Sequence, residues 1–231
     1  DGRTAVAAQQ LNVYEIDAFI GEVVNVIDFI KDELLPLLPC SLRASSEGIY
    51  PVVWRYDATE ADVKTHLTAD RDIYRDGPVE YVGSDVFNEI TINYRHNCRY
   101  NKLRQKVTIT GDTDKPKSGF MWSNDYTLGS AIRYGVRSLQ MDTELISSRA
   151  TAGRVVNWMS RAFSQRHRVI MYNAPVKLSY LEIGDIVALT DPDLSLVDQV
   201  VLIQAIEYGE TDLKITFLMI PDNPRDTIPT G

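Results

Sequence analysis

The last third of the chain, residues 155–220, has the most regular apolar pattern, and this pattern limits the folds available to the chain. Residues 151–163 place Val155, Val156, Met159 and Phe163 on one side of a helix, with polar residues opposite. Strand-like runs follow near residues 168–173, 176–181, 185–190, 198–207 and 212–219. This order predicts the α+β class, with mainly antiparallel β barrel or sandwich domains and a packed helix near residues 151–164.

One turn in this region, at Gly184 and Asp185, stands between two of the predicted strands. Glycine can adopt the positive φ angle that a tight turn requires, and the Asp185 carboxylate can accept a hydrogen bond from a backbone N–H. The strand then resumes with Ile186 and Val187. We therefore predict that this turn is a structural corner of the β domain and has no catalytic role.

The N-terminal part begins with apolar residues at helical spacing between residues 13 and 38, which predicts an amphipathic helix that ends at Pro36 and Pro39. Residues 41–56 read as a β-hairpin with its turn at residues 45–48. A short helix is predicted to start at Thr59, with Asp62 as the acidic partner of a capping box.

The middle of the chain contains two further strands and two polar loops. Ile90, Ile92 and Tyr94 alternate with polar residues over 89–95, and residues 106–110 are predicted to pair with this strand. The charged stretches at 57–77 and 111–119 predict surface loops. Weak helical periodicity predicts a second helical region at 124–146.

Composition argues against several classes of protein. With 231 residues, 44% of them hydrophobic, the chain can bury a sizeable core. A formal net charge of −8 without a basic run argues against nucleic acid as a direct partner. Charged residues interrupt the longest apolar region, residues 16–38, so no membrane-spanning helix is predicted. Because the first residue is Asp1 and not methionine, we expect a segment of a longer polypeptide.

No motif in the sequence predicts an enzyme or a bound cofactor. A nucleophile elbow, a phosphate-binding loop and a zinc-protease motif are all absent from the sequence. Cys40 and Cys98 lack metal-ligand spacing, and we expect both thiols to be reduced. The three histidines, His66, His96 and His167, are predicted to be exposed or incidental.

The acidic residues are the best candidates in the sequence for a catalytic or metal site. Asp70 with Asp72, and Asp112 with Asp114, could form the carboxylate pair of a glycosidase, but their polar loops favour turn or solvated acids. A third group, Asp191, Asp193 and Asp198, resembles part of a calcium loop without its required glycine and glutamate. We therefore predict neither catalysis nor metal binding.

The remaining candidates are surfaces for protein contact. The sequence has 12 tyrosines, and amphipathic rings of this kind are enriched at interfaces, although the edge of a sheet core explains any one of them equally well. The two polar loops, with Asp70, Asp72, Asp112 and Asp114, and the nearby Trp122 are therefore predicted as interaction residues.

Five short motifs occur in an order that resembles the tail hub and tail-tip attachment proteins of tailed phages. The motifs are NEITINY at residues 88–94, SAIRYG at 130–135, AGRVVNWM at 152–159, RHRVI at 166–170 and GDIV at 184–187. The resemblance implies a structural protein of the virion tail tip, assembled in the host cytoplasm as a homotrimer. It also implies contacts with tail-tube and tail-tip proteins, by which the hub links the tube to the central tip and anchors the proteins that touch the host.

The same resemblance suggests a division of the chain. Residues 1–84 are predicted as a helix and hairpin domain, residues 85–220 as the hub-like β domain, and residues 221–231 as a proline-containing tail. Two alternatives remain open, namely a tail-associated enzyme that degrades the cell wall and a module that binds a receptor or carbohydrate.

Overall fold

The computed structural model describes residues 2–17, 25–45, 48–82, 85–97, 102–115 and 118–220. Its helices are α1 Gly2–Leu11, α2 Val26–Asp28, α3 Asp125–Tyr134 and α4 Arg149–Phe163. Its strands are β1 Cys40–Ser45, β2 Gly48–Val53, β3 His66–Thr68, β4 Tyr74–Arg75, β5 Glu80–Val82, β6 Glu89–Asn97, β7 Lys102–Thr110, β8 Met121–Trp122, β9 Ser138–Asp142, β10 His167–Pro175, β11 Ile186–Asp191, β12 Leu196–Tyr208 and β13 Asp212–Met219. The α+β class predicted from the sequence is confirmed.

The described residues form two compact units, each made of separate stretches of the chain. Unit 1 contains residues up to Val53 together with Asp85–Gln165, and unit 2 contains Trp54–Ser84 together with Arg166–Pro221. The predicted domain division at residues 84 and 85 remains a prediction. The tail at 221–231 and Cys98 lie outside the described residues, whereas Cys40 is buried and free.

Unit 1 is a four-stranded sheet covered by α4. The strand order is β8-β7-β6-β9, in which β6 pairs antiparallel with β7 and parallel with β9. The predicted alternation of β6 is confirmed, because Ile90, Ile92 and Tyr94 are fully buried. They contact the apolar side of α4, which includes Val155 and Met159. A separate antiparallel hairpin, β1–β2, agrees with the predicted one.

Unit 2 is a seven-stranded sheet with apolar residues on both faces. The strand order is β3-β11-β12-β13-β10-β4, and β5 also pairs with β10. On one face, Tyr172, Ile203 and Phe217 belong to a large buried cluster. On the other face, Leu202 and Leu218 belong to a second cluster. Two buried faces explain why the strands are rich in consecutive apolar residues.

The helix predicted over 13–38 is wrong for its described N-terminal part. Residues 14–17 are not helical, and residues 18–24 lie outside the described part of the chain. The helical structure described after them runs from Val26 through a π-helix over Phe29–Leu34 to a 3-10 turn over Leu35–Leu37. Tyr14 and Ile16 pack on the core of unit 1, and the N–H of Asp17 donates to the carbonyl of Leu145 at 2.9 Å. These tertiary contacts hold the segment out of the helix.

Two other predicted elements differ from the structure. The helical region 124–146 ends at Tyr134, because Gly135 has φ 71° and the chain continues into β9, which gains its hydrogen bonds from β6. The strand predicted at 176–181 is a 3-10 turn, Val176–Leu178. The short helix after Thr59 is confirmed as a 3-10 turn, and the Asp62 carboxylate accepts the N–H of Thr59 at 2.9 Å.

Candidate interaction surfaces

The predicted corner at Gly184 and Asp185 has the geometry of a structural turn. Gly184 has φ 94°, a value that favours glycine. Its N–H donates to the carbonyl of Ile203 at 2.8 Å, and the N–H of Ile203 donates to the carbonyl of Asp185 at 2.9 Å. The Asp185 carboxylate accepts the N–H of Glu182 at 2.8 Å and pairs with Lys64 Nζ at 2.6 Å. These contacts fix the turn that leads into β11 and hold it beside β12.

The surface loop predicted at 57–77 is wrong for most of its length, because the stretch contains a 3-10 turn and the sheet strands β3 and β4. Its two aspartates lie between these strands and have different roles. Asp70 is exposed at φ 65°, and its N–H donates to the carbonyl of Ile73. The Asp72 carboxylate accepts the N–H of Thr68 at 3.0 Å and pairs with Arg71 at 2.7 Å. The hydrogen bond from Arg71 lowers the pKa of Asp72, whereas a general acid needs a raised pKa. This carboxylate therefore stabilises the turn.

The loop at 111–119 contains a turn built on Asp112. Its carboxylate accepts the N–H of Asp114 at 2.9 Å, and its own N–H donates to Thr110 Oγ1 at 3.1 Å. Both contacts are local and define the start of the loop. Trp122, just beyond the loop, is half-buried against the core of unit 1, and its Nε1 donates to Asn157 Oδ1 at 3.3 Å. Whether these residues contact other proteins remains a prediction.

A partly buried carboxylate, Glu89 at the start of β6, holds the loop at 111–119 to the sheet. Lys115 from the loop forms an ion pair with it, and the hydroxyls of Thr110 and Ser138 donate to it at 2.9 and 2.8 Å. Burial acts to raise the pKa of Glu89, but these hydrogen bonds outweigh burial and leave the pKa below its ordinary value. The ionised carboxylate therefore stabilises the folded state.

Replacing Glu89 with glutamine is expected to cost about 1–2 kcal/mol of unfolding free energy at neutral pH, because charge-assisted hydrogen bonds are lost. Since the folded pKa is lowered, this contribution is complete above the unfolded pKa of about 4.3 and disappears as the pH falls through the folded value. Urea denaturation at pH 7 and near pH 3 measures the difference. The exposed Glu210→Gln serves as the control, and an equal deficit at both pH values would contradict the assignment.

The described histidines have different environments. His66 is exposed, as predicted, and its Nδ1 lies 3.2 Å from Asp198 Oδ1. His167 is not exposed, because the residue is 7% exposed and its ring packs on the Tyr56 ring at 5.4 Å, and its incidental role remains a prediction. It lies at the start of β10, where alternation turns it inward. The His96 side chain lies outside the part of the chain that is described.

The sequence did not predict a buried polar pair in unit 2. The hydroxyl of Tyr172 donates to Asp191 Oδ2 at 2.5 Å, and the N–H of Asp193 donates to Asp191 Oδ1 at 3.0 Å. Arg75 lies 3.8 Å from the same carboxylate. Burial, followed by the hydrogen bond to Asp191, raises the pKa of Tyr172. Asp191 therefore accepts protein hydrogen bonds at a position that the partial calcium motif had assigned to a metal ligand.

A second buried residue, Asn88, connects three elements of unit 1. Its Nδ2 donates to Ser130 Oγ at 3.1 Å and to the carbonyl of Gly135 at 2.8 Å. Its Oδ1 accepts the N–H of Arg137 at 2.8 Å, and its backbone carbonyl accepts the N–H of Gly111 at 2.8 Å. Asn88 begins the NEITINY motif, but its role could not be read from the spacing alone.

The described residues lack two kinds of feature, a metal-ligand cluster and a membrane-spanning helix. They contain no group of three or more His, Cys, Asp or Glu side chains placed to hold a metal ion. Among the helices that the structure describes, none combines the length and apolar character needed to cross a membrane.

The resemblance to phage tail proteins is confirmed over part of the chain. Residues 126–206 match a family model described as "Putative phage tail protein". This stretch starts in α3 and ends in β12, so it contains four of the five motifs wholly or in most of their length. No curated protein sequence matches the chain.

Several solved structures have a chain arrangement that is similar in part. A prophage tail protein gp18 from Listeria monocytogenes EGD-e is 13% identical, with a TM-score of 0.44, over 84% of this chain and 52% of that one. A chain of a native gene transfer agent virion is 14% identical, with a TM-score of 0.48, and the match covers 99% of this chain and 48% of that one. A tail protein from Neisseria meningitidis MC58 is 13% identical, with a TM-score of 0.47, and the match covers 96% of this chain and 68% of that one. The chain spans about half the length of the first two, and similarities at this level carry no conclusion about function.

Proposed function

We propose that this protein is a structural component of a phage or phage-like tail tip. It forms a hub that links the tail tube to the central tip and anchors host-contact proteins. The observation that carries the proposal is the match of residues 126–206 to the putative phage tail protein family. The NEITINY motif at residues 88–94 adds separate support, because it lies outside the matched stretch.

The described side chains are consistent with a non-enzymatic role. The Asp72 carboxylate is tied to Arg71 and Thr68, and the Asp112 carboxylate accepts the N–H of Asp114. Both candidate carboxylate pairs therefore include a residue that stabilises a turn. Zymography on peptidoglycan provides the direct check, and clearing that Asp70→Ala or Asp112→Ala abolished would instead support the enzyme alternative.

The decisive experiment locates the protein in the particle. In a producing strain that lacks the gene, a tagged copy is expected to restore complete tails, and gold-labelled antibody against the tag should mark the end distant from the head. An untagged copy gives the background for labelling. Particles that assemble and infect normally without the protein, or label elsewhere, would contradict the proposal.

A further inference from the structure

The turn between β11 and β12 leads directly to an exposed apolar side chain, Val197, at the start of β12. Val197 is 78% exposed, more than any other large hydrophobic residue in the described part of the chain. Ser195 and Asp198 beside it adopt left-handed φ angles of 55° and 48°, which are uncommon for residues other than glycine. Such conformations persist where surrounding contacts enforce them, and they occur often at functional sites.

Backbone contacts fix this turn. The N–H of Ser195 donates to the carbonyl of Pro192 at 3.1 Å, and the N–H of Asp198 donates to Thr190 Oγ1 at 3.1 Å. We call the group Asp193, Val197 and Asp198 the Val197 tip. Because the turn is closed by its own hydrogen bonds, the tip presents its apolar residue without further ordering, which lowers the entropic cost of binding.

The Val197 tip is acidic as well as apolar. The side chains of Asp193 and Asp198 are 73% and 59% exposed. The guanidinium of Arg75 lies 3.5 Å from Asp193, and the imidazole ring of His66 lies 3.2 Å from Asp198. Residues 166–220 as a whole carry eight Asp and Glu against four Lys and Arg. A partner for the tip therefore needs an apolar contact with positive charge around it.

The end of α3 has those properties. Ile132 and Val136 are 69% and 49% exposed, and the exposed residues Arg133 and Arg137 alternate with them along the chain. Neither guanidinium has a carboxylate partner among the described residues, and Arg133 contacts only the Tyr134 ring, at 6.0 Å from its centroid. We call these four residues the Ile132 patch. Residues 85–165, which contain it, carry 12 Lys and Arg against seven Asp and Glu.

We propose that the Val197 tip of one copy docks on the Ile132 patch of a second copy. Val197 contacts Ile132 and Val136, while Asp193 and Asp198 lie near Arg133 and Arg137. Every copy carries both halves, so the contact is heterologous, and repetition closes a ring when the rotation between copies allows it. The inference rests on the proposed assembly role and adds the surfaces that join the subunits.

Sedimentation velocity over a concentration series tests the contact. The wild-type chain is expected to self-associate, more weakly at high salt because exposed charges are screened. Reversing the patch with Arg133→Glu and Arg137→Glu, or the tip with Asp193→Lys, should weaken association roughly tenfold or more, since like charges then meet. The matched control reverses two exposed cations of unit 2, Arg166→Glu and Lys177→Glu, and should associate like the wild type.

Mixing the two reversed variants gives the sharper result. Each variant alone repels itself, but the mixture pairs each reversed surface with its complement and restores association. Circular dichroism melts confirm that the variants fold. A monomeric wild type at about 100 μM, patch variants that associate normally, or a mixture that stays dissociated would each overturn the contact. If labelled protein still marks the tail end, only the contact is wrong; if it does not, the proposed function fails.

Discussion

Replacing Asn88 with alanine is expected to lower the free energy of unfolding by about 3 kcal/mol. The substitution removes three side-chain hydrogen bonds and leaves the N–H of Arg137, the Ser130 hydroxyl and the carbonyl of Gly135 without their partner in a buried site. Each unsatisfied buried group costs about 1–3 kcal/mol, reduced wherever water can enter. Chemical denaturation measures the loss, and hydrogen exchange should show its largest effect at the end of α3 and the start of β9.

A matched variant separates this effect from the loss of any amide side chain. Asn157 is exposed on α4, where it accepts a hydrogen bond from Trp122, and Asn157→Ala should cost less than about 1 kcal/mol. If Asn88→Ala lowers the free energy of unfolding by less than about 1 kcal/mol, the Asn88 side chain does not hold β6, the end of α3 and the segment before β9 together.

The second large effect is expected for Asp191→Ala, which should lower the free energy of unfolding by about 3–5 kcal/mol. The variant leaves the buried hydroxyl of Tyr172 without its acceptor and removes the carboxylate that faces Arg75. Removing one partner of a buried charged pair typically lowers the free energy of unfolding by this amount. Comparing Asp191→Ala, Tyr172→Phe and the double variant isolates the energy of the pair.

The exposed neighbour Asp193 provides the control for Asp191, because its side chain is 73% exposed and its contact with Arg75 is long. Asp193→Ala should change the unfolding free energy by less than about 1 kcal/mol. If the double variant is destabilised by the full sum of the two single effects, Tyr172 and Asp191 are not coupled, and the assignment is wrong.

The predictable parts of the fold were those with local causes. Alternation placed Ile90, Ile92 and Tyr94 on one face of β6, and the capping residues Thr59 and Asp62 marked the start of a turn of helix. Both signals depend on neighbours within a few residues. The α4 helix was predicted for the same reason, since its apolar residues recur at helical spacing.

The parts that were missed depend on distant partners. The β9 strand pairs parallel with β6, about fifty residues earlier, and its own residues carry a weak helical pattern. Residues 14–17 are not helical because Tyr14 and Ile16 pack on the core of unit 1. Likewise, Tyr172 and Asp191 belong to different strands, and no spacing rule connects them. Tertiary contacts overrode local preference at each of these positions.

The arrangement of the chain in two discontinuous units also bears on how this gene can be cut or exchanged. The stretch that matches the tail-protein family, residues 126–206, begins within unit 1 and ends within unit 2. Taken alone it would encode α4 without β6 and β7, and β10 and β12 without β13, which pairs between them. The matched stretch alone therefore lacks strands on which both sheets depend, and an exchanged gene segment would need to carry the flanking strands with it.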